Sequence, residues 1–305
     1  MLSTELAGIK LPNPTVLASG ILGVTGSSLA RVSKAGAGAV TTKSISFKER
    51  KGHPTPVIAT YAQGMANAVG LSNAGAEETL PEIEYAVKNS PSPVIASIFA
   101  STITEFGKVA EAVSRAKPHM IEVNISCPNV EDEFGRPFAC DPGIAAVVTK
   151  KVKKTTSIPL LVKLSPNVPN IGAIAEAVAK EGADGITAIN TVGPGMLINV
   201  EAARPVLSNR VGGISGPAIK PIALKCVFDI YKSTKLPIVG TGGVTTGRDA
   251  VEMIMAGASA AGIGTGVYYR GIEIFSKVSE EIQGLMDKEG YNSIEEMRGI
   301  SHEER

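Results

Sequence analysis

Tryptophan is absent from the 305 residues, aromatic side chains make up only 4%, and there are only three cysteines and three histidines. Cys127, Cys140 and Cys226 are odd in number and widely spaced, which argues against a disulfide framework and for a reducing, cytoplasmic setting. His53, His119 and His302 are scattered and form no ligand spacing with the cysteines, so neither a zinc nor an iron–sulfur site is expected within this chain. No apolar run reaches the length of about 18 residues that suggests a membrane span, and the Met1 segment lacks the basic and apolar blocks of a signal peptide. The net charge of +1 gives no reason to expect a nucleic-acid surface or an acidic tail.

What the chain does have is β-branched apolar runs, eight of them. They are PTVLASG (14–20), GAVTTKS (38–44), PVIASIF (93–99), MIEVNIS (120–126), PLLVKLS (159–165), GITAINT (185–191), PIVGTGG (237–243) and AAGIGTG (260–266). Amphipathic stretches such as 104–116, 171–182 and 247–257 lie between them. The runs are nearly continuous, not alternating, as expected for parallel strands covered on both faces. Eight such units fit a (β/α)8 TIM barrel, typically about 250 residues, with a doubly wound sheet as the runner-up. Segments near 45–92 and 192–216 are long for connections in this fold and are expected to wall or cover a site. The tail, 293–305, reads as a solvated, charged helix end.

In a barrel, chemistry gathers at the carboxyl ends of the strands. Here those ends carry Ser19, Lys43, Ser44, Ser97, Asn124, Cys127, Lys163, Asn190, Thr191 and two glycine clusters, a set poor in carboxylates and suited to a planar, polar, anionic ligand. Either lysine alone reads as a side chain reaching to water. Two at equivalent strand ends favour a ligand anion. GTGGV (240–244) and GIGTG (262–266) can cradle a phosphate, or simply permit tight turns, but neither completes a dinucleotide fingerprint. Cys226 sits at helical spacing and reads as core, and Asp141 after Cys140 reads as a helix cap. Cys127 is open to two readings: a buried small residue, or a nucleophile or proton acceptor without a histidine nearby in sequence.

Taken in order, LASG (17–20), TTKSIS (41–46), PTPVIATYAQGMANAVGLSNAG (54–75), EVNISCPNV (122–130), VKLSPNV (162–168), INT (189–191), GGISGPAIKP (212–221), GTGGV and GTG (264–266) carry a resemblance. From Leu11 to about Tyr269 the chain resembles the class 1 dihydroorotate dehydrogenases, most closely the NAD-linked class 1B catalytic subunit. The resemblance implies a single FMN-binding barrel domain over 1–305 that oxidises (S)-dihydroorotate to orotate in pyrimidine synthesis. It implies Cys127 as the base that takes the C5 proton while C6 gives hydride to N5 of FMN. It implies substrate contacts from Lys43, Asn67, Ala68, Val69, Gly70, Leu71, Asn124, Asn129, Asn190 and Thr191. FMN contacts are implied at Ser19, Lys43, Ser44, Ser97, Asn124, Lys163, Ile189, Gly216, Gly242, Gly243, Gly264 and Thr265, the last four around the phosphate. It also implies a homodimer core joined by a subunit carrying FAD and an iron–sulfur cluster into a heterotetramer that reduces NAD+, with no nucleic acid and no membrane involved.

Two departures stand out. Ser97 replaces the asparagine usual in the family, and the loop EDEFGRPFACDPG (131–143) stands where class 1B relatives carry a shorter glycine-rich segment, its Cys140 before Asp141 being similar to the FMN domain of dihydropyrimidine dehydrogenase. Asn129 matches the orotate enzymes, where that relative has histidine. The alternatives are therefore a dihydropyrimidine-type FMN enzyme and a barrel that binds a phosphate ligand without redox chemistry.

Overall fold

The computed structural model describes residues 2–126 and 141–303. Each of the eight apolar runs contains one strand of a closed, all-parallel barrel. In chain order these are β1 (Thr15–Leu17), β2 (Ala39–Thr41), β3 (Val94–Ile98), β4 (Met120–Asn124), β5 (Leu160–Leu164), β6 (Gly185–Ala188), β7 (Ile238–Thr241) and β8 (Ala260–Ile263). Strands adjacent in sequence pair in register, and β8 closes onto β1 through Gly262 beside Val16. Every residue of β3, β4 and β5 is buried, which is why these segments read as continuous apolar runs.

Helices follow the strands as the amphipathic stretches predict, including Ile103–Ser114, Ile171–Lys180, Lys220–Ser233 and Gly247–Met255. Asp141 caps Pro142–Lys153 by accepting from the amides of Gly143 at 2.7 Å and Ile144 at 3.1 Å. Cys226 lies buried in the helix after β6, and burial, aided by Asp229, pushes its thiol up to about 11. It is a core residue. Among the described residues no helix is long and apolar enough to cross a membrane.

Inside the barrel the side chains sort by depth. Val16, Ala39, Ile95, Met120, Leu161, Val239 and Ala260 form an apolar layer at the amino-terminal end. An antiparallel hairpin, Thr4–Leu6 with Ile9–Leu11, closes that end by inserting Leu6 and Leu11, both fully buried. Side chains recur on one face of a strand every second residue. Two positions further along, the layer above holds Thr41, Ser97, Glu122, Lys163 and Thr241, all buried. The apolar plug thus supports a polar floor.

The two long segments meet across the mouth, although β2 and β6 lie on opposite sides of the barrel. Hairpin Ile58–Tyr61/Gly64–Asn67 pairs through Asn67–Gly213 and Ala66–Ile214 with Gly212–Ser215, which pairs in turn with Val192–Gly195. Ala66, Ala68 and Leu207 give this four-stranded sheet a small core of its own. The tail differs from the solvated helix end read from its charges. Ser293 caps Ile294–Met297, whose Ile294 and Met297 are buried, and His302 stacks on Phe228 at 3.7 Å. The apolar side of this short segment found a partner that local sequence does not reveal.

Candidate active site

A cleft of about 320 Å³ opens between the carboxyl ends of the strands and the sheet above them, a size within the range of small-molecule sites. It gathers Ser19, Lys43, Ser44, Asn124, Lys163, Ile189, Asn190, Thr191, Gly216, Gly243, Gly264 and Thr265 from the barrel side. Asn67, Ala68, Val69, Gly70 and Leu71 come from the first long segment. Ser97 and Gly242 do not line it. Ser97 points into the wall, and a Cβ at Gly242 would strike Ala223 at 2.6 Å, behind the cleft surface. Cys127, Asn129 and Cys140 lie outside the described residues.

The wall is wired by hydrogen bonds. Asn190 Nδ2 donates to Ser126 Oγ at 2.7 Å, and Ser126 donates to Asn124 Oδ1 at 2.6 Å. Asn124 Nδ2 donates to Ser44 Oγ at 3.3 Å. Ser44 and Ser97 hydroxyls lie 2.9 Å apart, and Ser97 donates to Glu122 Oε1 at 2.9 Å. Because the Ser97 proton is committed to Glu122, Ser44 is the donor between the two serines. The donors therefore run one way, from Asn124 to a buried carboxylate.

Lys163 Nζ donates to Ser19 Oγ at 2.9 Å and stands 3.9 Å from Glu122 Oε1. Lys43 is held below the usual lysine range by burial first and by the Lys163 charge second. Opposite them, the loop after Asn67 is stiffened from behind. His53 Nδ1 lies 3.0 Å from the Ala68 carbonyl oxygen, and Arg50 Nε donates to the Gly70 carbonyl at 2.8 Å. Gly70 has φ +74°, and a Cβ there would press on the His53 amide at 2.8 Å, so a side chain is excluded. Leu71 follows at φ 58°, an uncommon conformation for a residue with a side chain, in the cleft itself.

The glycine turn after β7 is clamped from outside. Asp249 accepts from the amides and hydroxyls of Thr245 and Thr246 at 2.8–2.9 Å, and from Lys220 Nζ at 2.6 Å. Burial pushes its carboxyl up, but these donors outweigh burial and hold it at about 2. The depressed value implies a contribution of about 2 kcal/mol at neutral pH. That contribution is complete above the carboxyl's ordinary 3.8 and is lost as pH falls toward about 2. Asp249→Asn should therefore lower stability at neutral pH, with the difference from the parent shrinking as acid is added. Denaturant melts across that range check this; a constant difference would refute it.

Several cleft residues carry little signal in the sequence. Asn167 lines the cleft and bridges the Thr191 carbonyl, at 3.2 Å, and the Gly193 amide, at 3.0 Å. It stands inside the VKLSPNV motif, which assigns it no role. His53 has no histidine or cysteine partner nearby in sequence to mark it. Glu122 has a signal that the sequence reading missed, as the one charge within MIEVNIS.

A family model described as "Dihydroorotate dehydrogenase" matches residues 1–286. Among curated proteins the chain is 47% identical over 299 residues to "Dihydroorotate dehydrogenase B (NAD(+)), catalytic subunit" of Methanosarcina mazei, covering 98% of this chain and 94% of the relative. Proteins of the same name are similar at 46% identity in Methanocaldococcus jannaschii and at 43% in Pyrococcus abyssi. Those matches cover 99% of each partner in both cases.

Proposed function

Because this chain belongs to the dihydroorotate dehydrogenase family, we propose that it oxidises (S)-dihydroorotate to orotate as the catalytic subunit of an NAD-linked enzyme of pyrimidine synthesis. The observation that carries the reading is the convergence of a buried lysine, Lys163, a half-buried one, Lys43, the amides of Asn124 and Asn190, and the Asn67–Leu71 loop on one cleft. That set suits a flat ring with a carboxylate better than a neutral sugar or a peptide.

FMN is the cofactor we assign, and the residues present fit it. Thr241 lines the cleft floor, and its buried hydroxyl, without a hydrogen-bond partner among the described residues, lies over Gly262 of the neighbouring strand, where the missing Cβ leaves room beside it. At the other end Gly243, Gly264 and Thr265 leave the backbone bare, and a Cβ at Gly264 would meet only Ala18, at 3.6 Å. A phosphate suits such a surface. Bound FMN would supply the two-electron acceptor for the hydride lost from C6 of the substrate.

The chain's own residues supply the rest. Lys43, Asn67 and the loop through Leu71 bind and orient the substrate carboxylate and ring, with Asn124, Asn129, Asn190 and Thr191 as further contacts. Lys163 places a positive charge beside the flavin edge that gains electron density on reduction. Ser19, Ser44, Ile189 and Gly216 complete the ring contacts, and Gly242 supports the phosphate turn from behind. Cys127, which follows directly on Ser126, takes the C5 proton. We read the whole chain as one functional domain. We also propose a second subunit carrying FAD and an iron–sulfur cluster as the route to NAD+, with a homodimer of this chain at the centre of the assembly.

Anaerobic titration of FMN-reconstituted protein tests this. Dihydroorotate should bleach the flavin, and NAD+ should restore its colour only with the partner subunit present. Bleaching by dihydrouracil in place of dihydroorotate would move the assignment to a dihydropyrimidine enzyme. Protein that stays colourless with FMN would leave a phosphate-binding barrel without redox chemistry.

A further inference from the structure

A charged side chain in the middle of a buried strand is costly unless it is paired and hydrogen-bonded. Glu122 is the central residue of β4, with its side chain only 4% exposed and that of Lys163 only 6%. At 3.9 Å their charged atoms attract across a gap too long for a hydrogen bond. Each is instead held by its own serine, Glu122 by Ser97 at 2.9 Å and Lys163 by Ser19 at 2.9 Å. Glu122 is not a wall residue of the cleft, whereas Lys163 is. Its carboxylate therefore makes no contact with a bound flavin: its charge acts from beneath the floor, and its hold on geometry passes through the lysine.

We propose that Glu122, aimed by Ser97, is the positioning residue that fixes Lys163 at the cleft floor and offsets its charge, and so sets how strongly the site prefers reduced over oxidised flavin. The inference rests on the FMN reading above. Its logic is a charge count. Lys43 and Lys163 bring two positive charges to the cleft and Glu122 one negative charge beneath it. Without the carboxylate, the floor would hold electron density on the ring more tightly than an enzyme that must pass electrons onward can use. Ser97 then has a role that differs from a flavin contact. Its short hydroxyl spans from Ser44 to the carboxylate.

The test uses FMN-loaded full-length protein and an anaerobic redox titration against indicator dyes. Glu122→Gln should shift the ratio of oxidised to reduced flavin dissociation constants roughly tenfold or more toward the reduced form, the scale of one unit charge acting over several ångströms at an effective dielectric of about 20. On a Lys163→Met background the shift should shrink to the direct effect of the lost Glu122 charge, and Ser97→Ala should give a smaller shift of the same sign. A merely structural pair would change stability and leave the ratio alone. An unchanged ratio in Glu122→Gln, or the same shift with and without Lys163, overturns the proposal. If Glu122→Gln does not fold, Ser97→Ala with and without Lys163→Met completes the same cycle. Parent protein that binds no FMN would remove the cofactor reading as well. Parent protein that binds FMN beside an unmoved variant would remove this inference alone.

Discussion

Cys127→Ala protein should bind FMN as the parent does and be reduced by dihydroorotate about 10²–10⁴-fold more slowly, the usual cost of losing a general base. The affinity should survive because the proposed flavin contacts lie on other residues. Reduction should slow because the C5 proton then has no protein acceptor as C6 loses hydride. A free thiol ionises near about 8.5, so the parent's rate should rise with pH below the thiol's value and level off above it. The alanine variant should lack that rise. Stopped-flow absorbance under anaerobic conditions resolves the step. A variant trace at the parent's rate would remove Cys127 from the mechanism.

Lys43→Met should weaken orotate binding roughly 10- to 100-fold, since a charge-assisted hydrogen bond contributes about 1.5–3 kcal/mol. The pH profile is the sharper readout. Lys43 is positive below its pKa, and burial together with the Lys163 charge lowers that pKa from the ordinary 10.5. Orotate affinity in the parent should therefore begin to fall at a pH below 10.5, as the ammonium loses its proton. In Lys43→Met the affinity should be low and flat over the same range. Calorimetric or flavin-absorbance titrations with orotate measure both. Binding equal to the parent's would place the carboxylate elsewhere.

The fold is legible in the sequence to an unusual depth because a parallel barrel hides both faces of each strand. Continuous apolar runs such as PLLVKLS are what such burial requires, and each ends in the polar residues that the cleft gathers. Lys43, Lys163, Asn124 and Asn190 are all legible in this way. Ser97 marks the limit. Its position at a strand end follows from the pattern, but whether a side chain there faces a ligand or a neighbour depends on what stands beside it. Here that neighbour is Glu122 on the next strand. The motif around Gly242 puts it at the cleft surface, yet Ala223 of the preceding helix, Lys220–Ser233, stands close behind it. The tail's charges suggest solvent, whereas Ile294 and Met297 are covered by the body of the barrel.

By itself the sequence determined the strands, their burial on both faces and the types of side chain at their ends, because burial and backbone period act over a few residues. Closure, which those runs left open against a doubly wound sheet, was decided by the pairing of β8 with β1. Tertiary structure alone decided that the segments after β2 and β6 share one sheet through Asn67 and Gly213, 146 positions apart. It alone set a carboxylate beneath Lys163 and braced the Asn67–Leu71 loop with His53 and Arg50. Such pairings are chosen when the chain closes on itself and brings opposite sides of the barrel mouth together, and no local pattern encodes a partner that far away.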